Sequence, residues 1–226
     1  ETRRRPLLKS VVRRPIPDEK SINQAVKLIE DSKRPLLVLG GGANRTSTSK
    51  MLLEFVEKTK IPFITTQLGK GALNERHENF LGCAALTAGD FVHRAIEESD
   101  QIITVGQDNF EKPPFIMQEK KGTKVIHIDH ITASVNGIYF PQLMVTGDIA
   151  NAIWQIKEKI KINPQWDFSK MLQTRKAHLE HSEKIREDNR FPIFPPYLVR
   201  QIRNAMPEDG IITVSYTHLT LPTNIG

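Results

Sequence analysis

A chain of 226 residues with 38% hydrophobic content has room for one domain of about 150 residues plus extra segments. No apolar run approaches the ~20 residues a membrane helix needs, and the single cysteine, Cys83, excludes an internal disulfide framework and predicts a reducing, cytoplasmic setting. The net charge of +6 sits mostly at the start: residues 1–34 carry 10 Lys/Arg against 5 Asp/Glu, whereas residues 35–160 carry 13 against 14. A nucleic-acid binder concentrates its excess on a folded face beside a recognisable motif, so that class is set aside and the basic start reads as a solvated linker.

Residues 1–17, with Pro6, Pro15 and Pro17 among basic side chains, read as an extended connector. Asp18 caps a helix that turns Ile22, Ala25, Val26 and Ile29 to one face, and Pro35 ends it. The strand Leu36–Leu39 then runs into Gly40-Gly41-Gly42-Ala43-Asn44, the way a buried parallel strand feeds a phosphate-facing turn. Ser47 or Ser49 is expected to cap the next helix, which buries Leu52, Phe55 and Val56. A second strand, Ile61–Thr66, leads to the turn Gly69-Lys70-Gly71. After a loop through His77 and a short segment, Phe80–Cys83, Gly89-Asp90 opens a helix with Val92, Ala95 and Ile96 inward. Strands at Gln101–Val105, Thr123–Ile128 and Leu143–Val145 end in Gly106, Asp129 and Gly147-Asp148, and Asp148 caps a helix carrying Ile149, Ala152, Ile153, Ile156 and Ile160.

The regular alternation of helices with short continuous apolar strands predicts an α/β fold: a parallel sheet flanked by helices on both faces. Ligands of such sheets sit at the carboxyl ends of the strands, where these glycines and acids fall. Residues 169–189 read as a polar helical linker, Tyr197–Met206 as an amphipathic helix, and Ile211–Val214 as the first strand of another domain.

Few residues offer chemistry of their own. The dinucleotide fingerprint needs a third glycine where Arg45 stands, and its ribose-binding acid is missing, so NAD binding of the usual kind is not expected. Lys70 could face a phosphate or solvent. The His127-Ile128-Asp129-His130 stretch lacks a further ligand at metal-site spacing, and an acid at a strand end more often bonds a ribose hydroxyl or caps a turn. His178 and His181 read as a solvated helix face, and Cys83 as a packed, inert thiol.

Four stretches together resemble the thiamine-diphosphate-dependent acetolactate synthase large-subunit family. They are Arg34-Pro35-Leu36-Leu37-Val38-Leu39-Gly40-Gly41-Gly42, Ile61-Pro62-Phe63-Ile64-Thr65-Thr66-Gln67-Leu68-Gly69-Lys70-Gly71, Val125-Ile126-His127-Ile128-Asp129 and Val145-Thr146-Gly147-Asp148-Ile149. The likeness covers about residues 20–214. It implies a linker over residues 1–17, a Rossmann-like central domain over 18–162, a helical linker over 163–194 and a truncated start of a diphosphate-binding domain over 195–214. Residues 215–226 resemble translated adapter sequence and are expected to be non-native.

The resemblance further implies a parent enzyme that decarboxylates a 2-oxo acid and joins it to a second one, in branched-chain amino acid or acetoin metabolism. Thiamine diphosphate and Mg²⁺ would be held by motifs outside this chain, in N- and C-terminal domains, within a homo-oligomer. No catalytic or metal-binding residue is expected here, and the chain alone is expected to be inactive. FAD, structural in many relatives, is the cofactor the central domain itself could hold. Its contacts would fall on Gly41, Gly42, Thr66, Gly69, Gly71, Gly106 and Asp129. The loop after Gly106 departs from the arginine-rich pattern of flavin-binding relatives, reading Gln107-Asp108-Asn109-Phe110-Glu111-Lys112. The alternatives are a related decarboxylase or carboligase of the oxalyl-CoA, glyoxylate or benzoylformate type, or a non-enzymatic nucleotide-binding module.

Overall fold

The computed structural model describes residues 14–84, 91–107, 115, 117, 123–207, 209 and 210. The chain divides into two compact units, residues 1–178 and 179–226. The first is built on a six-stranded, all-parallel sheet: β1 (Pro35–Leu39), β2 (Phe63–Thr65), β3 (Phe80–Cys83), β4 (Gln101–Val105), β5 (Lys124–Asp129) and β6 (Leu143–Thr146). Their spatial order is β3-β2-β1-β4-β5-β6. This is the doubly-wound order, in which the chain reverses its direction of travel across the sheet between β1 and β4. The predicted fold class is thus the one observed. Phe80–Cys83, expected only as a short segment, is strand β3; a glycine in the middle and two half-buried ends hide its pattern.

Both faces of the sheet are covered because every inner strand is apolar on both sides. One core joins Leu37, Leu39, Phe63, Ile103, Val105, Ile126, Ile128 and Val145 to three helices: α1 (Glu19–Glu30), α2 (Thr46–Thr59) and, after β6, the helix Ile149–Lys159, which is α4. The opposite core joins Leu36, Val38, Ile64, Leu81, Ile102 and Val125 to α3 (Phe91–Glu98) and to Met171 of α5 (Ser169–Arg186). The connection from β5 to β6 has no helix. Residues 131–142 cover the sheet there as an irregular segment plugged into the core by Tyr139, which is buried.

The starts of α1 and α4 follow local chemistry and that of α2 does not. The Asp18 carboxylate accepts the Ser21 amide at 2.9 Å and the Asp148 carboxylate accepts the Asn151 amide at 2.8 Å, so both expected caps are in place. Neither Ser47 nor Ser49 caps α2: four hydroxyl residues follow one another from Thr46 to Ser49, the helix takes all four, and the cap position falls on Arg45, whose side chain makes no capping bond. The expected opening of α3 at Gly89-Asp90 lies outside the described residues, as do the expected strand 211–214 and the segment 215–226.

In the second unit, α6 (Pro195–Ala205) starts with two prolines, whose fixed φ suits a first helical turn. Arg200 pairs with Glu183 at 3.1 Å, and no residue of α6 is buried.

Candidate functional site

The glycine turns meet at the carboxyl ends of the strands, and the structure shows why glycine is required there. After β1 the chain forms a single 3₁₀ turn, Gly41–Ala43, before α2 begins. The Gly40 amide donates to the Val105 carbonyl at 2.9 Å, and the Gly42 amide donates to the Gly106 carbonyl at 2.9 Å. The turns after β1 and β4, which flank the reversal point of the sheet, are therefore in direct backbone contact. A Cβ on Gly40 would lie 2.4 Å from the Gly106 carbonyl oxygen, and one on Gly106 (φ +66°) would lie 2.3 Å from the Ala43 nitrogen. No side chain fits between these turns.

The turn after β2 closes on β1 from the other side. The Thr66 amide donates to the Leu39 carbonyl at 2.9 Å, and the Thr66 hydroxyl accepts the Gly69 amide at 3.1 Å. A Cβ on Gly69 would stand 1.9 Å from the Leu39 oxygen. Asn44 ties the first two turns together, its side-chain amide donating to the Lys70 carbonyl at 3.0 Å. Across the reversal point the line continues. The Gly106 amide donates to the Ile128 carbonyl at 2.9 Å, and the Gly147 amide donates to the Asp129 carbonyl at 2.9 Å. A continuous backbone-stitched ridge thus crosses the ends of β2, β1, β4, β5 and β6.

All seven residues expected from sequence lie along this ridge, in different surroundings. Gly42, Thr66, Gly69 and Gly106 are its joints. Gly41 faces Leu68, whose Cβ would be 3.1 Å from an added methyl, while Gly71 (φ +85°) meets only the Asn44 amide, at 3.8 Å. Asp129 ends β5, is 7% exposed, and accepts the His130 amide on its carboxylate. Lys70, left open between phosphate and solvent, has its side chain 58% exposed, with Nζ 3.4 Å from the Glu75 carboxylate. Sequence reasoning missed Asn44 as the clasp between turns, and Gln107, which is buried beside Gly106. The only signal was position: each follows directly on a glycine turn.

Among the described residues no group of three His, Cys, Asp or Glu is placed to hold a metal ion. His127 has a different occupation. It is buried on β5, with Nδ1 3.0 Å from the Tyr139 hydroxyl, while Thr104 Oγ1 lies 2.9 Å from that hydroxyl and 3.3 Å from the imidazole. Burial pulls its pKa down to about 4, so the ring is neutral at physiological pH. Burial also pushes the Tyr139 phenol up to about 12; the bond from Thr104 opposes this and the charge of Asp129 adds to it. This buried trio pins the irregular β5–β6 connection to the sheet. Cys83 is half-buried, its thiol 3.6 Å from the Thr66 carbonyl. His178 is not on a solvated face: its ring stacks on Phe91 at 5.5 Å, over the gap left by Gly82.

Comparison with known proteins agrees with this architecture. The family described as thiamine pyrophosphate enzyme, central domain, matches residues 22–156. The acetolactate synthase large subunit of Pyropia yezoensis is 33% identical over 66% of this chain and 26% of its own length. Acetolactate synthase of Bacillus subtilis (strain 168) is 25% identical over 85% of the chain and 34% of its own. 2-hydroxyacyl-CoA lyase 1 of Dictyostelium discoideum is 32% identical over 67% and 25% respectively. A crystal structure of a protein from Mycobacterium smegmatis assigned to the thiamin diphosphate-dependent enzymes superposes with a TM-score of 0.56 at 26% identity, over 70% of this chain and 30% of that one. The chain spans between about a quarter and a third of the length of these relatives. With a family match across more than half its length, the chain belongs to the thiamine pyrophosphate enzyme family, its residues 22–156 being the central domain.

Proposed function

We propose that this chain is the central domain of an acetolactate synthase-like enzyme, and that its strand-end ridge holds FAD. The observation that carries the flavin reading is the ridge itself. Gly40 to Gly42, Gly69, Gly71 and Gly106 raise no side chain along it, and the polar side chains of Thr66, Gln107 and Asp129 stand at the strand ends. These residues fit an extended dinucleotide laid along the ridge. They do not fit one gripped by the glycine amides, because Gly42, Ala43 and Asn44 already donate to Gly106, Gly40 and Gly41. The domain's task in this reading is structural: to bind, orient and support.

Thiamine diphosphate with Mg²⁺, held by other parts of the parent, would supply the decarboxylation of a 2-oxo acid and its carboligation to a second. The names of the Pyropia and Bacillus relatives favour acetolactate as the product. The Dictyostelium lyase favours a second reading, a 2-hydroxyacyl-CoA substrate. Partner domains and a homo-oligomeric parent belong to the same proposal, as does a cytoplasmic setting.

Thermal melts with added FAD, ADP or NAD test the ridge. FAD is expected to raise Tm and NAD to leave it unchanged; the opposite ranking would overturn the flavin reading. For the parent, product analysis decides: full-length enzyme is expected to turn pyruvate into acetolactate with CO₂ release, and the present chain alone to form none.

A further inference from the structure

The turn Gly147-Asp148 does more than start α4. It receives the chain's own incoming segment. Pro15 accepts the Asp148 amide on its carbonyl at 2.7 Å. The Arg14 guanidinium donates to the Asp148 carboxylate at 3.0 Å, while the other carboxylate oxygen caps α4 through the Asn151 amide. Pro17 is buried, and it fills the space over Gly147 so closely that a Cβ there would lie 2.7 Å from Pro17 Cγ. Gly147 has a φ of +154°, so a side chain at this position is strained as well as crowded. One backbone bond, one ion pair and one shape match therefore converge on a single turn, the ion pair from 134 positions away.

We propose that Gly147-Asp148 is a docking site for residues 14–17, a strap that fixes where the upstream chain leaves the sheet. The exit point lies at the carboxyl end of β6, the same end as the ridge, because the Gly147 amide is bonded to the Asp129 carbonyl. Residues 14–17 are thereby held at the ridge edge of the sheet and not at its opposite end. Asp148 serves two roles with its two carboxylate oxygens. A cap alone would be met by Asn or Ser, whereas the strap needs the charge.

Amide exchange in the intact chain separates the roles. The Asp148 amide reports the strap and the Asn151 amide reports the cap. In Arg14→Gln the Asp148 amide is expected to exchange about three- to fivefold faster, the scale of a partly exposed ion pair, with Asn151 unchanged. Gly147→Ala is expected to free the strap more fully, with faster exchange at Asp148 than in Arg14→Gln. Wild-type exchange at Asp148 in both variants would overturn the proposal. So would parallel acceleration at Asp148 and Asn151, which would mean general fraying of α4.

Discussion

At the scale of single residues, the ridge glycines separate into those that pack and those that only bend. Gly69 and Gly106 face backbone at 1.9 Å and 2.3 Å, and backbone cannot move aside as a side-chain tip can. Gly69→Ala and Gly106→Ala are expected to cost about 3 kcal/mol or more in urea melts, the overpacking range with strain added. Gly71→Ala, strained by its φ of +85° but set in nearly open space, is expected to cost about 1 kcal/mol. His127 gives a pH signature. Its folded pKa of about 4 lies below the ordinary 6.5, so the neutral ring's contribution is complete above pH 6.5 and is lost as pH falls through 4. The full effect is about 3 kcal/mol. His127→Leu is expected to flatten the stability profile between these values, and Tyr139→Phe to lower stability by about 1–2 kcal/mol by stripping the trio of its shared hydroxyl.

At the scale of elements, the helix caps separate local from tertiary effects. Asp18→Ala removes a cap and little else and is expected to cost about 1 kcal/mol in chemical melts, with Asp18→Asn largely restoring it. Such elements were legible because their causes are local: Asp18 and Asp148 precede apolar periodicity, and β1, β4 and β5 are unbroken apolar runs. Phe80–Cys83 was not legible as a strand, since its pairing with Phe63, Ile64 and Thr65 supplies what its own four residues lack. The start of α2 was misplaced because any of four consecutive hydroxyl residues could have capped it. His178 was misplaced for a related reason: the space it fills belongs to Gly82, almost a hundred residues earlier.

For the whole molecule, the gathering of the glycine turns at one edge was legible, because turns after parallel strands end at one edge by construction. What the turns do to one another was not. That Gly42 touches Gly106 depends on β1 and β4 being neighbours, a fact of strand order and not of either segment. The two compact units permit a further expectation. Because α6 buries none of its residues, ending the chain after Arg186 is expected to leave the melting midpoint of the sheet unit within about 2 °C of its original value by calorimetry.

The central place of β1 bears on how the domain is made. Its residues are fully buried, yet its partners arrive late: Leu37 pairs with Phe63 on one side and with Ile103 on the other. A ribosome adding about 5–20 residues per second needs several seconds to pass from the first of these strands to the last. Throughout that interval the apolar run Pro35–Leu39 has one neighbour at most. The seam between the turns after β1 and β4 closes only when β4 has emerged, so the edge that would receive a ligand is completed only after all the residues between the two strands have been made. Any holdase that recognises this nascent chain is expected to grip β1 and to let go once β4 is in place.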